Sequence, residues 1–88
     1  MTPKRTDANQ AEIVAALRQA GASVQTLHEV GHGCPDVVVG HHGKNWLFEI
    51  KTEAGKLNAR ESLWHHGWNG QASVIRSVED ALAIIGVL

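Results

Sequence analysis

The chain has 88 residues, a formal net charge of −1 at pH 7 and a single cysteine. That length supports one domain, and a domain so small buries only about 60–65% of its unfolded surface, so its stability is marginal and self-association would add burial. A composition of 43% hydrophobic and 19% charged residues excludes a disordered tail, the lone Cys34 excludes an internal disulfide, and the near-neutral charge argues against tight non-specific DNA binding while leaving room for a local basic rim.

No linker, repeat or low-complexity run divides the sequence, so residues 1–88 read as one domain with residues 1–6 as a flexible arm. The first helix opens at Asn9 as N-cap, with Glu12 in the capping-box position. Ile13, Ala16, Leu17 and Ala20 follow helical spacing, and Gly21 ends the helix. Residues 23–28 alternate and are β-rich, which predicts a strand. Residues 29–35, with Gly31 and Gly33, form a loop. Val37, Val38 and Val39 mark a buried strand over residues 36–40. A turn over residues 41–45 around Gly43 leads to a strand over residues 46–52, and the two strands form a hairpin. On that strand Trp46, Phe48 and Ile50 share one face, while Leu47, Glu49 and Lys51 share the other. A second helix begins at Asn58 with Glu61 three residues on, and runs to about Trp68. Residues 72–76 form a fourth strand, and Ser77 caps a last helix reaching about Ile85. The order αβββαβα predicts an α/β fold: a mixed central sheet flanked by helices, with a crossover into the last βα unit.

The chemistry concentrates on this hairpin. Asp36 starts one strand and Glu49 lies near the end of its partner, so folding the hairpin lets the two carboxylates meet, with Lys51 on the same face as Glu49. Phosphodiester hydrolysis uses such a group. Hard oxygen ligands hold Mg²⁺ or Mn²⁺, the metal polarises the phosphate, and a lysine orients water or stabilises the charged transition state. The Ile50 backbone carbonyl lies between these side chains as a further candidate ligand. A cross-strand ion pair is the competing reading. Such pairs contribute only about 0–1 kcal/mol, and they do not account for a Pro35-Asp36 step after a glycine-rich loop. Glu12 has two readings, a cap and an acid near the hairpin, and one residue can serve both.

Gly33-Cys34-Pro35-Asp36, then Glu49-Ile50-Lys51, then Gly55-Lys56-Leu57 before a helix, together resemble the virus-type replication-repair nuclease (VRR-NUC) domain of the PD-(D/E)XK superfamily, over nearly the whole chain from Glu12 onward. The resemblance implies a restriction-endonuclease-like core. It implies that Asp36, Glu49 and Glu12 bind metal, that Lys51 is the catalytic lysine, and that DNA is the substrate. It also implies a stand-alone homodimer acting on branched DNA in the manner of a Holliday-junction resolvase, with a flap- or nick-directed repair nuclease as the alternative. A phage or prophage origin fits the short form. At the position of the family's usual glutamine stands Glu61. An ionised carboxylate cannot donate a hydrogen bond, and near a metal or phosphate it adds negative charge. A capping box is its simpler role.

The remaining polar residues are weaker signals. Lys44, Lys56, Asn58 and Arg60 are candidate contacts to the DNA backbone, the last three beside a helix N-terminus. His32, Cys34, His41 and His42 lack zinc-like spacing and read as solvated loop residues. His65 or His66 on the second helix could touch a phosphate. Trp46, Trp64 and Trp68 read as packing residues, and the apolar residues 85–88 as a dimer contact. Residues 1–10 lack the apolar core of a signal peptide, and no apolar run is long enough to span a bilayer, so the expected location is cytoplasmic. A non-catalytic nucleic-acid-binding module that keeps the fold is the reading from a different class.

Overall fold

The structure is a computed structural model that describes the backbone of residues 5–88 and side chains from residue 9 onward. Seven elements follow in the expected order: α1 (Arg5–Gln19), β1 (Ser23–Thr26), β2 (Val37–His41), β3 (Lys44–Ile50), α2 (Ala59–Gly67), β4 (Ser73–Ile75) and α3 (Val78–Ile84).

Helix α1 starts earlier than the sequence suggests. Residues 5 and 6 of the expected arm are helical, and residues 1–4 lie outside the described residues. Asn9 therefore sits inside the helix, where the amides that a capping box would satisfy are already committed to the helix ladder. Its side chain has another partner: Nδ2 donates to the Lys51 carbonyl at 2.9 Å, tying α1 to the end of β3. Ile13 and Leu17, four residues apart, are fully buried and anchor the helix on the sheet. The helix closes as a Schellman motif, with Ala22 N–H on Leu17 O and Gly21 N–H on Arg18 O. Gly21 has the positive φ of 95° that this ending needs.

The sheet runs β1-β2-β3-β4, with the first two pairings antiparallel and β3–β4 parallel. This is the mixed sheet that the αβββαβα order implied. The hairpin is tighter than expected. His41 pairs with Lys44, so the turn is the two residues His42 and Gly43 rather than five. Both have positive φ, 51° and 78°, as a type I′ turn requires and as matches the twist of the flanking strands. Strand β1 stops at Thr26, two residues short of the expected end, though Leu27 N–H still reaches Asp36 O at 2.8 Å.

Alternation sorts the two faces. Val37, Val39, Phe48, Ile50 and Ile75 are buried on one face with Ile13, Leu17, Ala81 and Ile85 of α1 and the α3 end. Glu49 falls between Phe48 and Ile50, so its side chain must leave on the opposite face. Helix α2 approaches that side. None of its residues is buried, so its own apolar packing is slight and other contacts hold it.

One of them is a close backbone approach. A Cβ on Gly33 would stand 2.4 Å from the Arg60 carbonyl oxygen, and Gly33 has a φ of 82°. Gly31, with a φ of 71°, has nothing within 4 Å of such a Cβ. Gly33→Ala is therefore expected to cost about 2–4 kcal/mol, from strain plus displaced backbone. Gly31→Ala should cost about 1 kcal/mol, from strain alone. Thermal unfolding of the two variants separates these; equal losses would mean that the loop–helix contact contributes nothing.

Candidate active site

Asp36 directly precedes β2, after the fully buried Pro35. Its backbone N–H donates to Phe48 O at 3.0 Å, and its Oδ2 accepts the Ile50 N–H at 2.7 Å. A carboxylate oxygen thus stands where the next strand carbonyl would be, which fixes Asp36 across from the 49–51 segment. Glu49 is 1% exposed, the one charged residue buried among those described. Lys51 Nζ lies 3.6 Å from Glu49 Oε2 and 2.8 Å from Glu61 Oε1. The three residues expected to meet on the hairpin do meet, and Glu61 of α2 joins them.

Glu61 serves two purposes. Its Oε1 accepts the Asn58 N–H at 2.9 Å while its own N–H donates to Asn58 Oδ1 at 2.8 Å, a complete capping box. The same Oε1 holds Lys51. The cap aims the carboxylate, and the aimed carboxylate bridges α2 to β3. Lys51 is also fixed through its backbone: its carbonyl accepts from Asn9, and its N–H donates to Ile75 O at 3.0 Å. Beyond it, Arg76 Nη1 donates to the Thr52 and Gly55 carbonyls at 2.7 and 2.6 Å, which orders the loop leading into α2.

The electrostatics follow from this crowding. Burial pushes the Glu49 carboxyl up from 4.5 to about 8, helped by a hydrogen bond with Asp36 and by the Asp36 charge. Burial by itself would lower the Lys51 ammonium, but the Glu61 hydrogen bond and three neighbouring carboxylates outweigh it and raise the pKa. Burial opposes ionisation of Glu61, yet Lys51 and the Asn58 amide more than compensate and its pKa is lowered. Burial, then Glu49 and Asp36, push the Cys34 thiol up, so Cys34 beside the site is a protonated thiol and not a nucleophile.

This donor set fits a hard divalent cation. The buried Glu49 carboxyl is held against the half-buried Asp36, and Glu49 Oε1 is buried without a hydrogen-bond partner. Among the described residues no group of three or more His, Cys, Asp or Glu surrounds one cation position. Asp36 and Glu49 would be the side-chain ligands, and water or substrate would complete the shell, as suits Mg²⁺.

The other sequence-derived candidates are scattered. Glu12 is exposed on α1 and joins no hydrogen bond or ion pair of the cluster among the described residues. Lys44 is at the turn end of the hairpin, about 16 Å of strand from Glu49. Lys56 and Arg60 are exposed near the start of α2, and the Asn58 side chain is engaged in the cap. Arg60 lines an open cleft of about 490 Å³ with His32, Leu63 and Trp64. His41 and His42 stack on each other at the hairpin turn, Trp64 stacks on Trp68, and Trp46 packs against the core. Sequence reasoning gave two of the cluster's residues other roles. Asn9 was expected as a cap and instead reaches Lys51. His65, expected with His66 as a candidate phosphate contact, faces Glu49, and its helical spacing from Glu61 was the signal for that side.

No protein-family model matches the chain, and no curated protein matches it. Among solved structures, one described as "VRR_NUC domain" superposes with a TM-score of 0.74 at 22% identity, covering 93% of this chain and 97% of that one. The chain therefore has the VRR_NUC fold, the one its motifs resemble. No helix among the described residues is long and apolar enough to cross a membrane.

The raised Glu49 carboxyl makes metal-free stability depend on pH. The folded protein keeps this proton between about pH 4.5 and 8 while the unfolded chain releases it. Stability from this group is thus full below 4.5 and is lost as pH rises through about 8. The shifts of Glu61 and Lys51 act outside this window, and Asp36 and His65 also face the carboxyl. Glu49→Gln should remove this loss, so the variant gains on the wild type by roughly 1–3 kcal/mol between pH 5 and 8.5 in denaturant unfolding with chelator present. A constant difference across that range would contradict the buried, protonated carboxyl.

Proposed function

We propose that this chain is a Mg²⁺- or Mn²⁺-dependent DNA endonuclease of the PD-(D/E)XK type. The observation that carries this is the buried Glu49 against the half-buried Asp36, with Lys51 beside them, held by Asn9, Ile50 and Glu61. A cross-strand ion pair on an exposed face would need neither the burial of Glu49 nor the amide clamp on Asp36. The VRR_NUC fold agrees with the reading.

Asp36 and Glu49, with the Ile50 carbonyl as a further ligand, would hold a divalent cation, which would supply Lewis acidity toward a phosphodiester oxygen. The chain's own residues do the rest. Asp36 is oriented by the Ile50 amide, so its lone pairs are aimed before any ligand arrives. Lys51 stands 3.6 Å from Glu49 and stays charged, so it can orient a water or offset charge on the phosphate as it reacts. Glu61 keeps the ammonium in place, and its negative charge is neutralised by Lys51 instead of facing DNA unpaired. Lys56 and Arg60 flank the approach at the start of α2, and Arg60 opens onto the cleft beside it. Glu12, exposed on α1, would act only as an outer ligand through water.

Branched DNA cut by a homodimer is the form we favour. One catalytic centre cuts one strand, and a two-fold symmetric junction needs two. Exposed apolar side chains, among them Leu63, Val87 and Leu88, give a small chain reason to self-associate.

Cleavage of a labelled four-way junction beside flap, linear duplex and single-stranded DNA, with Mg²⁺ or Mn²⁺, tests this. Paired symmetric cuts confined to the junction are expected, and Lys51→Ala should slow them by about 100-fold or more. Lysine-dependent cuts in flaps or linear DNA would keep the active site and replace the junction assignment with repair. No lysine-dependent cutting of any substrate would reject the nuclease and favour a binding module.

A further inference from the structure

Glu61 and His65 are four residues apart on α2, and side chains at that spacing share a helix face. Glu61 turns toward Lys51, and His65 turns toward Glu49. His65 Nε2 lies 4.0 Å from Glu49 Oε1. Both atoms are buried, and neither has a hydrogen-bond partner among the described residues. Buried polar atoms without partners are rare, and here two of complementary chemistry face each other. The gap is slightly too wide for a direct bond, and with both atoms closed to solvent a small closure of α2 spans it. The His65 ring meets Trp64 edge-on at 5.2 Å, which restricts its orientation. His66, the next residue, is exposed.

We propose that His65 is a positioning residue for Glu49: its Nε2–H donates to Glu49 Oε1 and so fixes how that carboxylate is presented to a cation shared with Asp36. The role rests on reading Asp36 and Glu49 as the cation-binding pair. A carboxylate on a strand can rotate about its last torsion, and each orientation offers a different oxygen. Oε2 lies toward Lys51 at 3.6 Å. Holding Oε1 on α2 removes the rotational freedom that cation binding would otherwise have to remove. Groups that orient a metal ligand in this way typically change metal affinity by about 10–100-fold. Helix α2 then grips both working side chains of β3, Lys51 through Glu61 and Glu49 through His65.

The test is Mn²⁺ affinity at fixed pH, measured by calorimetry on the full chain, for the wild type, Asp36→Asn, His65→Leu and His65→Gln. Leucine and glutamine are alike in bulk, so packing lost with the ring is lost in both. Only glutamine keeps an N–H near the place of Nε2. His65→Leu should weaken Mn²⁺ binding about 10-fold or more, and His65→Gln should recover it to within about 3-fold of wild type. Wild-type affinity in His65→Leu would overturn the role, and so would equal losses in the two variants. Undiminished binding by Asp36→Asn would instead overturn the cation site itself. Loss in both Asp36→Asn and His65→Leu, with recovery in His65→Gln, supports both.

Discussion

Everything at the candidate site depends on one constraint: a glutamate between two core residues of a buried strand must point away from the core, and here it still does not reach water. Phe48 and Ile50 hold β3 against α1 and α3. Alternation then sends Glu49 to the opposite face, where Asp36, Lys51, Glu61 and His65 enclose it. A carboxylate in such a place keeps its proton, pairs with a cation, or both by turns. The raised Glu49 pKa and the unpartnered Oε1 express that constraint.

The surrounding devices fix charged groups without apolar packing, which a chain this short has little of to spare. Asp36 is held by three backbone contacts: its amide donates to Phe48, its carbonyl accepts from Leu27, and its side chain accepts from the Ile50 amide. Lys51 is anchored at its carbonyl by Asn9, at its amide by Ile75 and at its ammonium by Glu61. Helix α2 buries no residue, yet its capping box, its ion pair and the close approach at Gly33 register it on the sheet. The arrangement sacrifices some stability, since a carboxyl buried against a second carboxylate must keep its proton, and it gains a fixed placement of Asp36 and Glu49.

Glu61, at a position where the sequence resemblance leads to the expectation of a glutamine, has a physical meaning of its own. Viewed alone, this residue adds a negative charge to a cluster that already holds Asp36 and Glu49. In the folded chain that charge is shared between the Asn58 amide and the Lys51 ammonium, and its pKa is lowered accordingly. It acts as the counter-ion of the lysine. A neutral glutamine would hold Lys51 less firmly, so this chain trades some freedom of the lysine for position.

The sequence by itself determined the element order, the two faces of β3, the Asn58 and Ser77 caps, and the grouping of Asp36, Glu49 and Lys51. Each of these follows from local rules: period two on a strand, period 3.6 on a helix, and amides left free at helix ends. Tertiary structure alone decided the rest. Asn9 carried every local mark of a cap, but the helix runs past it to Arg5, and its amide serves Lys51, 42 positions away. The hairpin turn shrank to His42 and Gly43 because strand pairing extended as far as backbone geometry allowed. Whether Glu61 was only a cap, and that His65 met Glu49 at all, depended on where α2 sits over the sheet. Across that gap between elements there is no sequence periodicity to read, only the distances that the folded chain sets.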